Sequence, residues 1–298
     1  MDAFFELAAL GPLPDYLALY FPDNDIWSHQ HGPESSGIPL RRFDSDLGRI
    51  FDMLGGRQKA IAENTFFVIA DHAQVTVGPG EECGIDLDQV LSDYKRLTMG
   101  VAWHDQDLFV GPNGRFAMLY LHPNRPRLHD QVFRTLSAEP RIEHILWREG
   151  LRYHVYNVQT QSKLCFERGL RYHDRHGNGW RWQGDPAALG LAKSRFVVDF
   201  EENPDAFVRI SEALDSPASG DYTLTARPGY EFAGNGEDVH LGGGSHGGLT
   251  REETLVPFIA CGPAVGKRTS ILRTTELVQQ TMQAFGLSRK RFLLKPAA

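Results

Sequence analysis

Aspartate and histidine residues occur at three points in this sequence where an apolar run ends or a glycine-rich loop bends. They are Asp25 and His29, then Asp71 and His72, and finally His246. The two pairs follow the apolar runs 16–21 and 65–70, and the last histidine lies within the glycine-rich segment 242–248. Continuous apolar runs are typical of strands covered on both faces, and open α/β sheets bind ligands beyond the carboxyl ends of such strands. The sequence therefore predicts an α/β fold with a polar site, in which 17–21 and 66–70 are parallel neighbours or near neighbours.

These residue types together can bind a divalent metal ion. Carboxylate oxygen and neutral imidazole nitrogen suit zinc, and also manganese or iron. Asp25 and His29 are four residues apart, so they face the same ion if their segment is helical. Asp71 and His72 are adjacent, and His246 lies on glycine-rich backbone that can approach a site closely. Each residue alone is more often a capping or hydrogen-bonded group than a ligand, so the prediction of a metal site depends on the whole set.

The remaining histidines and the glycine cluster have less specific settings. His31, His104, His122 and His240 are expected to be surface or hydrogen-bonding residues. The segment 242–244 allows a phosphate-binding loop, but no Lys-Ser/Thr pair follows it, which favours a loop without that function.

Hydrophobic period and turn residues predict the main secondary structure. The spacing predicts helices near 1–10, over 43–54 with Asp44 or Asp46 as the cap, after the capping residue Asp86, over 128–136, over 203–214 and over 275–285. It predicts a central strand over 65–70, a strand over 116–122, a hairpin of 142–148 with 152–158, and strands at 223–226 and 254–260 that return to the main sheet.

Short strands and turns dominate from about residue 99 to residue 220, which is typical of an inserted α+β module. We therefore expect residues 1–98 to form the first part of the main domain. Residues 99–220 form the inserted module, and residues 221–298 form the last part of the main domain.

Composition limits the partners of the chain. Its 298 residues carry a formal net charge of −7, which argues against a nucleic-acid polymer because such partners favour basic surfaces. No apolar stretch approaches the roughly 18 residues that a membrane span needs. The 3 widely spaced cysteines support neither a disulfide framework nor a zinc ribbon, and they suit a reducing compartment. Because the first residues also lack the pattern of a secretory signal, we expect a cytoplasmic protein with no membrane partner.

The order and spacing of the three clusters resemble the alkaline phosphatase superfamily, specifically its type I phosphodiesterase/nucleotide pyrophosphatase branch. In that branch an Asp, three residues, a His and a nearby Gly-Pro correspond to Asp25, His29 and Gly32-Pro33. The branch's Ser-Asp-His-Gly corresponds to Ala70-Asp71-His72-Ala73, and its late Gly-x-His-Gly corresponds to Gly244-Ser245-His246-Gly247. The resemblance is discontinuous, because the segment between the second and third motifs varies in the family.

The resemblance implies an alkaline phosphatase-like fold, with a central, mostly parallel sheet flanked by helices and an inserted α+β module. It implies two divalent metal ions, zinc or alternatively manganese. Asp25, His29 and His246 would hold one ion, and Asp71 with His72 would hold the other. It also implies a metal-dependent phosphoester hydrolase, of the phosphodiesterase or phosphatase type, that acts on a small phosphoester. In such enzymes one metal activates a Thr or Ser nucleophile and the other stabilises the departing oxygen.

The sequence departs from the family pattern in two ways. Ala73 stands where the family usually has glycine. The family's nucleophile and a further metal-binding Asp precede the Asp25 motif, and we expect this chain not to contain them. Ser28 and Ser245 would lie beside the first metal and do not replace the nucleophile, so the two-metal site is expected to be incomplete and no catalytic residue is assigned. The alternative is a catalytically inactive metal-binding or interaction protein that retains the fold.

Overall fold

The computed structural model describes residues 2–265 and 273–287. Within the described part the chain divides into two compact units. The first is formed from residues 2–24, 36–71, 256–265 and 273–287, and the second from Asp25–Ser35 and His72–Leu255. The expected division at 98/99 and 220/221 stays a prediction.

The described residues form α-helices and short 3-10 helices at defined positions. The α-helices are α1 (Asp2–Leu10), α2 (Asp23–His31), α3 (Gly37–Met53), α4 (Arg57–Glu63), α5 (Leu87–Val90), α6 (Arg127–Ser137), α7 (Ala206–Asp215), α8 (Arg251–Thr254) and α9 (Glu276–Ala284). The 3-10 helices are Pro33–Ser35, Glu81–Cys83 and Pro186–Ala188.

The strands are mostly short. They are β1 (Phe66–Ile69), β2 (Val75–Thr76), β3 (Gly84–Asp86), β4 (Leu108–Asn113), β5 (Phe116–Leu121), β6 (Ile142–Glu149), β7 (Arg152–Asn157), β8 (Ser162–His173), β9 (Gly179–Gly184), β10 (Leu191–Ser194), β11 (Val197–Phe200), β12 (Tyr222–Ala226), β13 (Glu231–Ala233), β14 (Gly244–Ser245) and β15 (Phe258–Cys261).

The second unit contains a nine-stranded sheet with the order β10-β11-β8-β7-β6-β12-β5-β4, in which β9 also pairs with β8. Its pairs are antiparallel except for β11 with β8. The prediction of a mostly parallel sheet is therefore wrong for this sheet. The physical reason is the short connections: Gly114 and Gly150, both with positive φ, lie in the tight turns of β4–β5 and β6–β7. Tight turns give antiparallel neighbours, whereas parallel neighbours need long crossovers.

Helices flank this sheet, and two apolar clusters form its core. Ile145 of β6 belongs to the cluster that includes the α6 residues Val132 and Leu136. The next residue, Leu146, belongs to the cluster that includes Phe207 of α7. Because successive strand residues point to opposite faces, the two clusters cover opposite faces of the sheet. The second unit is thus a mixed α/β structure with a large central sheet, as predicted.

The first unit contains α3, α4 and the antiparallel pair β1–β15. Ring contacts join Phe51 to Phe66 and Phe67 to Phe258. The segment 17–21 forms no strand, and Leu17, Leu19 and Tyr20 are exposed. The prediction that this segment is a strand parallel to β1 is therefore wrong, because an apolar run forms a strand only where a partner accepts its backbone hydrogen bonds.

The predicted helices and the central hairpin are confirmed. The side chain of Asp86 accepts hydrogen bonds from the backbone N–H groups of Asp88 and Gln89, as expected of an N-cap. α3 begins at Gly37, before either of the predicted caps. None of the helices within residues 2–265 and 273–287 is both long and apolar enough to span a membrane.

Candidate metal centre

Helix α2 places Asp25 and His29 on one face, as their spacing predicts. The distance from His29 Nε2 to Asp25 Oδ1 is 3.5 Å. His29 Nδ1 lies 2.8 Å from the carbonyl oxygen of Gly244. A hydrogen bond from Nδ1–H to this carbonyl fixes the ring and its tautomer and leaves Nε2 able to bind a ligand.

His72 and His246 also lie close to the Asp25 carboxylate. Their rings stack with centroids 3.6 Å apart and an interplanar angle of 18°. Asp25 Oδ1 lies 3.9 Å from His72 Nε2 and 4.0 Å from His246 Nε2. One ligand atom from each of these three residues lies within 4.8 Å of the others. We call Asp25, His29, His72 and His246 the His–Asp cluster.

The backbone brings the cluster together through a short antiparallel ladder. Strand β2 pairs with β14, with Thr76 opposite Gly244 and Val75 opposite Ser245. His72 precedes β2 and His246 follows β14, so the ladder aligns the two histidines. Gly244 allows this close approach, because a Cβ atom there would lie 2.3 Å from Gln74 Oε1.

Gln74 was not identified from the sequence. Its Nε2 donates hydrogen bonds of 2.6 Å to Asp25 Oδ1 and 3.3 Å to the Asp25 carbonyl oxygen. These bonds orient the carboxylate towards the histidines. The available signal was only its position two residues after His72, which does not distinguish it from an ordinary polar residue.

Glu231 and His240 extend the site. The Glu231 carboxylate accepts hydrogen bonds from Ser245 Oγ at 2.6 Å, from His240 N at 2.6 Å and from His240 Nδ1 at 2.9 Å. The ring of His240 lies against that of His29, with centroids 4.2 Å apart. The expectation that His240 is a hydrogen-bonding residue is confirmed, whereas its contact with His29 was not foreseen.

A buried ion pair supports the loops that carry His72 and His246. Arg115 Nη1 lies 2.5 Å from Glu253 Oε2, and both side chains are almost fully buried. The backbone N–H of Arg115 donates to the carbonyl oxygen of His246, and that of Ala73 donates to the carbonyl oxygen of Glu253. Neither charged residue carries a local sequence signal, because their pairing depends on the tertiary fold.

The electrostatic environment favours the form of His246 that binds metals. Burial lowers the pKa of His246, and the neighbouring His72 lowers it further, while Asp25 opposes this shift. A lowered pKa keeps the imidazole neutral at physiological pH, and neutral imidazole is the form that coordinates a metal. The donor set of one carboxylate and three imidazoles fits zinc or a similar divalent ion.

The predicted grouping of ligands is only partly reflected in this geometry. Ligand atoms of Asp25, His72 and His246 lie within 4.8 Å of one another, and His29 Nε2 lies 3.5 Å from Asp25 Oδ1. Asp71 is the final residue of a segment of the first unit. The assignment of Asp71 and His72 to a second metal ion stays a prediction.

Ser28 and Ser245 are both buried, with 2% and 0% of their surface exposed. A substrate phosphorus atom cannot approach a hydroxyl that is enclosed in this way. The expectation that neither serine serves as the nucleophile is consistent with this burial.

Comparison with known proteins places the chain in a family. Comparison with curated proteins finds no match. Among solved structures, murine ectonucleotide pyrophosphatase/phosphodiesterase 5 matches with a TM-score of 0.53 and 16% sequence identity, over 91% of this chain and 54% of that protein. The chain thus spans about half the length of that protein, and the match supports an alkaline phosphatase-like fold. The sequence model of the type I phosphodiesterase / nucleotide pyrophosphatase family matches residues 1–249, and the chain therefore belongs to this family.

Proposed function

We propose that this protein is a metal-dependent phosphoester hydrolase whose metal ions bind at the His–Asp cluster. The observation that carries the proposal is the convergence of Asp25, His72 and His246, with ligand atoms within 4.8 Å of one another. Membership of the phosphodiesterase family supports the same class of reaction. A small phosphoester is the proposed substrate.

The proposed division of the ligands between two metal ions follows the resemblance to the family's motifs. Asp25, His29 and His246 hold one divalent ion, and His72 with Asp71 holds a second, with zinc or manganese as the metal. Metal ions supply positive charge that activates an attacking oxygen and stabilises the departing one during phosphoryl transfer. The residues of the chain orient the ligands: Gln74 holds the Asp25 carboxylate, and the Gly244 carbonyl holds the His29 ring.

The experiment combines metal analysis with turnover. The purified protein is stripped of metal, reloaded with zinc or manganese, and assayed with an aryl phosphodiester and an aryl phosphomonoester. Asp25→Ala and His246→Ala are the cluster variants. His104→Ala is the matched control, because the His104 side chain is 89% exposed and lies outside the cluster.

We expect metal-dependent hydrolysis in the wild type and the control, and loss of both metal and hydrolysis in the cluster variants. Turnover is expected to be slower than the roughly 1–1,000 per second typical of enzymes, because neither buried serine beside the cluster supplies a nucleophile. Equal metal content in all four proteins would contradict the proposal. Metal binding without hydrolysis of either substrate would instead support the alternative, an inactive metal-binding protein that retains the fold.

A further inference from the structure

We infer that Glu231 is a positioning residue for the His–Asp cluster, and that its carboxylate sets the metal affinity of the site. The inference rests on the proposed function only in that the cluster binds a metal. The Glu231 carboxylate accepts hydrogen bonds from Ser245 and His240, which are not members of the cluster. It acts through two neighbours, Ser245 and His240, which we call its two arms.

The first arm fixes the backbone that carries His246. Ser245 directly precedes His246 and is fully buried, and its hydroxyl donates to Glu231 Oε1 at 2.6 Å. The surroundings leave this segment little freedom, since a Cβ atom at Gly114 would lie 2.8 Å from the His246 carbonyl oxygen and 3.0 Å from Ser245 Oγ. A displaced Ser245 would therefore move His246 as well.

The second arm reaches the ring of His29. Glu231 binds His240 twice, through the backbone N–H and through Nδ1, so that both the main chain and the ring of this residue are fixed. The His240 ring lies at 4.2 Å from that of His29, with an interplanar angle of 35°. The packed ring limits rotation of His29, whose Nε2 must face Asp25.

One carboxylate thus restrains two different cluster histidines. Only 1% of the surface of Glu231 is exposed, so its charge is stabilised by the three donors rather than by water. Substitution by glutamine would replace one of the two acceptor oxygens with an NH2 group, so at least one of these donors would lose its acceptor in a buried environment, which favours a shift of both arms. Outer-shell groups of this kind typically change metal affinity by about 10–100-fold when mutated.

The test measures the dissociation constant for zinc by competition with a chromophoric chelator, using the full chain. The variants are Glu231→Gln, Ser245→Ala and His240→Ala. Asp174→Asn is the matched control, because Asp174 is also a buried carboxylate, and it accepts hydrogen bonds from His176, Asn178 and Trp180, which lie outside the cluster. The unfolding free energy of each variant is measured in parallel.

We expect Glu231→Gln to weaken zinc binding by about 10–100-fold and each single-arm variant to weaken it by less. The effect of Ser245→Ala should shrink in the Glu231→Gln background, since the neutral amide has one acceptor oxygen instead of two and so weakens the hydrogen bond that Ser245→Ala removes. Asp174→Asn should lower the unfolding free energy and leave zinc affinity unchanged. If Glu231→Gln does not fold, the two single-arm variants decide the question.

The inference is overturned if Glu231→Gln binds zinc as tightly as the wild type. If Glu231→Gln does not fold, wild-type zinc affinity in both single-arm variants overturns it. An equal loss of zinc affinity in Asp174→Asn also overturns it. A wild type that binds no zinc would overturn it together with the proposed function. A wild type that binds zinc without hydrolysing phosphoesters would contradict only the proposed hydrolase and leave the role of Glu231 intact.

Discussion

Arg115 and Glu253 form an ion pair at 2.5 Å in which the arginine side chain is 0% exposed and the glutamate side chain 2% exposed. Glu253 also accepts hydrogen bonds from the backbone N–H of Gly248 and from Thr250 Oγ1. The Arg115 guanidinium donates to the carbonyl oxygen of Ala226 in β12. The pair therefore connects the central sheet to the segment that follows His246.

Arg115→Met should be strongly destabilising. Removing one partner of a buried pair leaves the other charge without compensation, which typically costs about 3–5 kcal/mol. Urea unfolding at constant pH measures the change. Arg175→Met is the control, because Arg175 and Asp199 form an exposed pair that should contribute about 0–1 kcal/mol. Equal losses in the two variants would show that burial of the Arg115 pair has no special cost.

Gln74→Met should weaken metal binding without a comparable loss of stability. The substitution keeps the length of the side chain but removes the donor to Asp25 Oδ1, so the carboxylate loses its orientation. We expect zinc affinity to fall by about 10–100-fold, as for other outer-shell changes. Gln89→Met is the control, because Gln89 is exposed on α5. A Gln74→Met protein with wild-type zinc affinity would show that the metal alone orients Asp25.

Gly244→Ala should disrupt the cluster by steric contact. The new methyl group would lie 2.3 Å from Gln74 Oε1, 2.8 Å from Ser28 Oγ and 3.0 Å from the Ser28 carbonyl oxygen. Overpacking of this kind typically costs about 1–3 kcal/mol, and the shift of Gln74 should also lower zinc affinity. Thermal unfolding and zinc titration measure the two effects.

Gly48→Ala is the matched glycine control for that substitution. Gly48 lies within α3, and a Cβ atom there would meet nothing within 4 Å. Alanine is favoured over glycine inside a helix by about 0.5–1 kcal/mol, so this variant should be stabilised. If Gly244→Ala is as stable as the wild type and binds zinc equally well, the β2–β14 contact is looser than the structure indicates.

Glu143→Gln should stabilise the protein at alkaline pH. Burial raises the pKa of Glu143 from its ordinary 4.5 to about 7, with Arg115 opposing the shift. The folded state then binds this proton more tightly than the unfolded chain does. The stabilisation of the folded state that comes from protonated Glu143 is fully present below about pH 4.5, and it is lost as the pH rises through 7.

Glutamine cannot ionise, so the unfolding free energy of Glu143→Gln relative to the wild type should rise between pH 5 and pH 8. A pKa shift of this size corresponds to roughly 3 kcal/mol across the full range. Urea unfolding at several pH values measures the difference. Glu201→Gln, at an exposed position, should show no such trend. A constant difference between Glu143→Gln and the wild type would place the Glu143 pKa near its ordinary value.

Local patterns in the sequence were sufficient for features that depend on nearby residues. The four-residue spacing of Asp25 and His29 predicted their shared helical face, and Asp86 predicted the start of α5. The hairpin β6–β7 followed from two runs separated by a turn at Gly150. In each case the controlling interactions lie within one or two turns of the chain, so propensity and period describe them.

The features that the sequence did not predict depend on distant contacts. The run 17–21 has the composition of a strand, but within residues 2–265 and 273–287 no partner strand fixes its conformation. The prediction of mostly parallel strands was wrong because strand direction depends on which strands become neighbours. Strand β12 lies between β5 and β6 and is antiparallel to both. Gln74 and Glu231 gain their roles only from groups that the tertiary fold places beside them.

The two-residue ladder between β2 and β14 has a consequence for how folding can be observed. A shift of this pairing by one residue would turn every side chain on one strand to the opposite face and separate His72 from His246. Correct alignment of the ladder is thus a condition for the histidine pair to exist. A cobalt ion held at the proposed metal site would gain the stronger visible absorption of a low-symmetry complex only once that alignment is reached, so the change in its spectrum would report strand register during refolding.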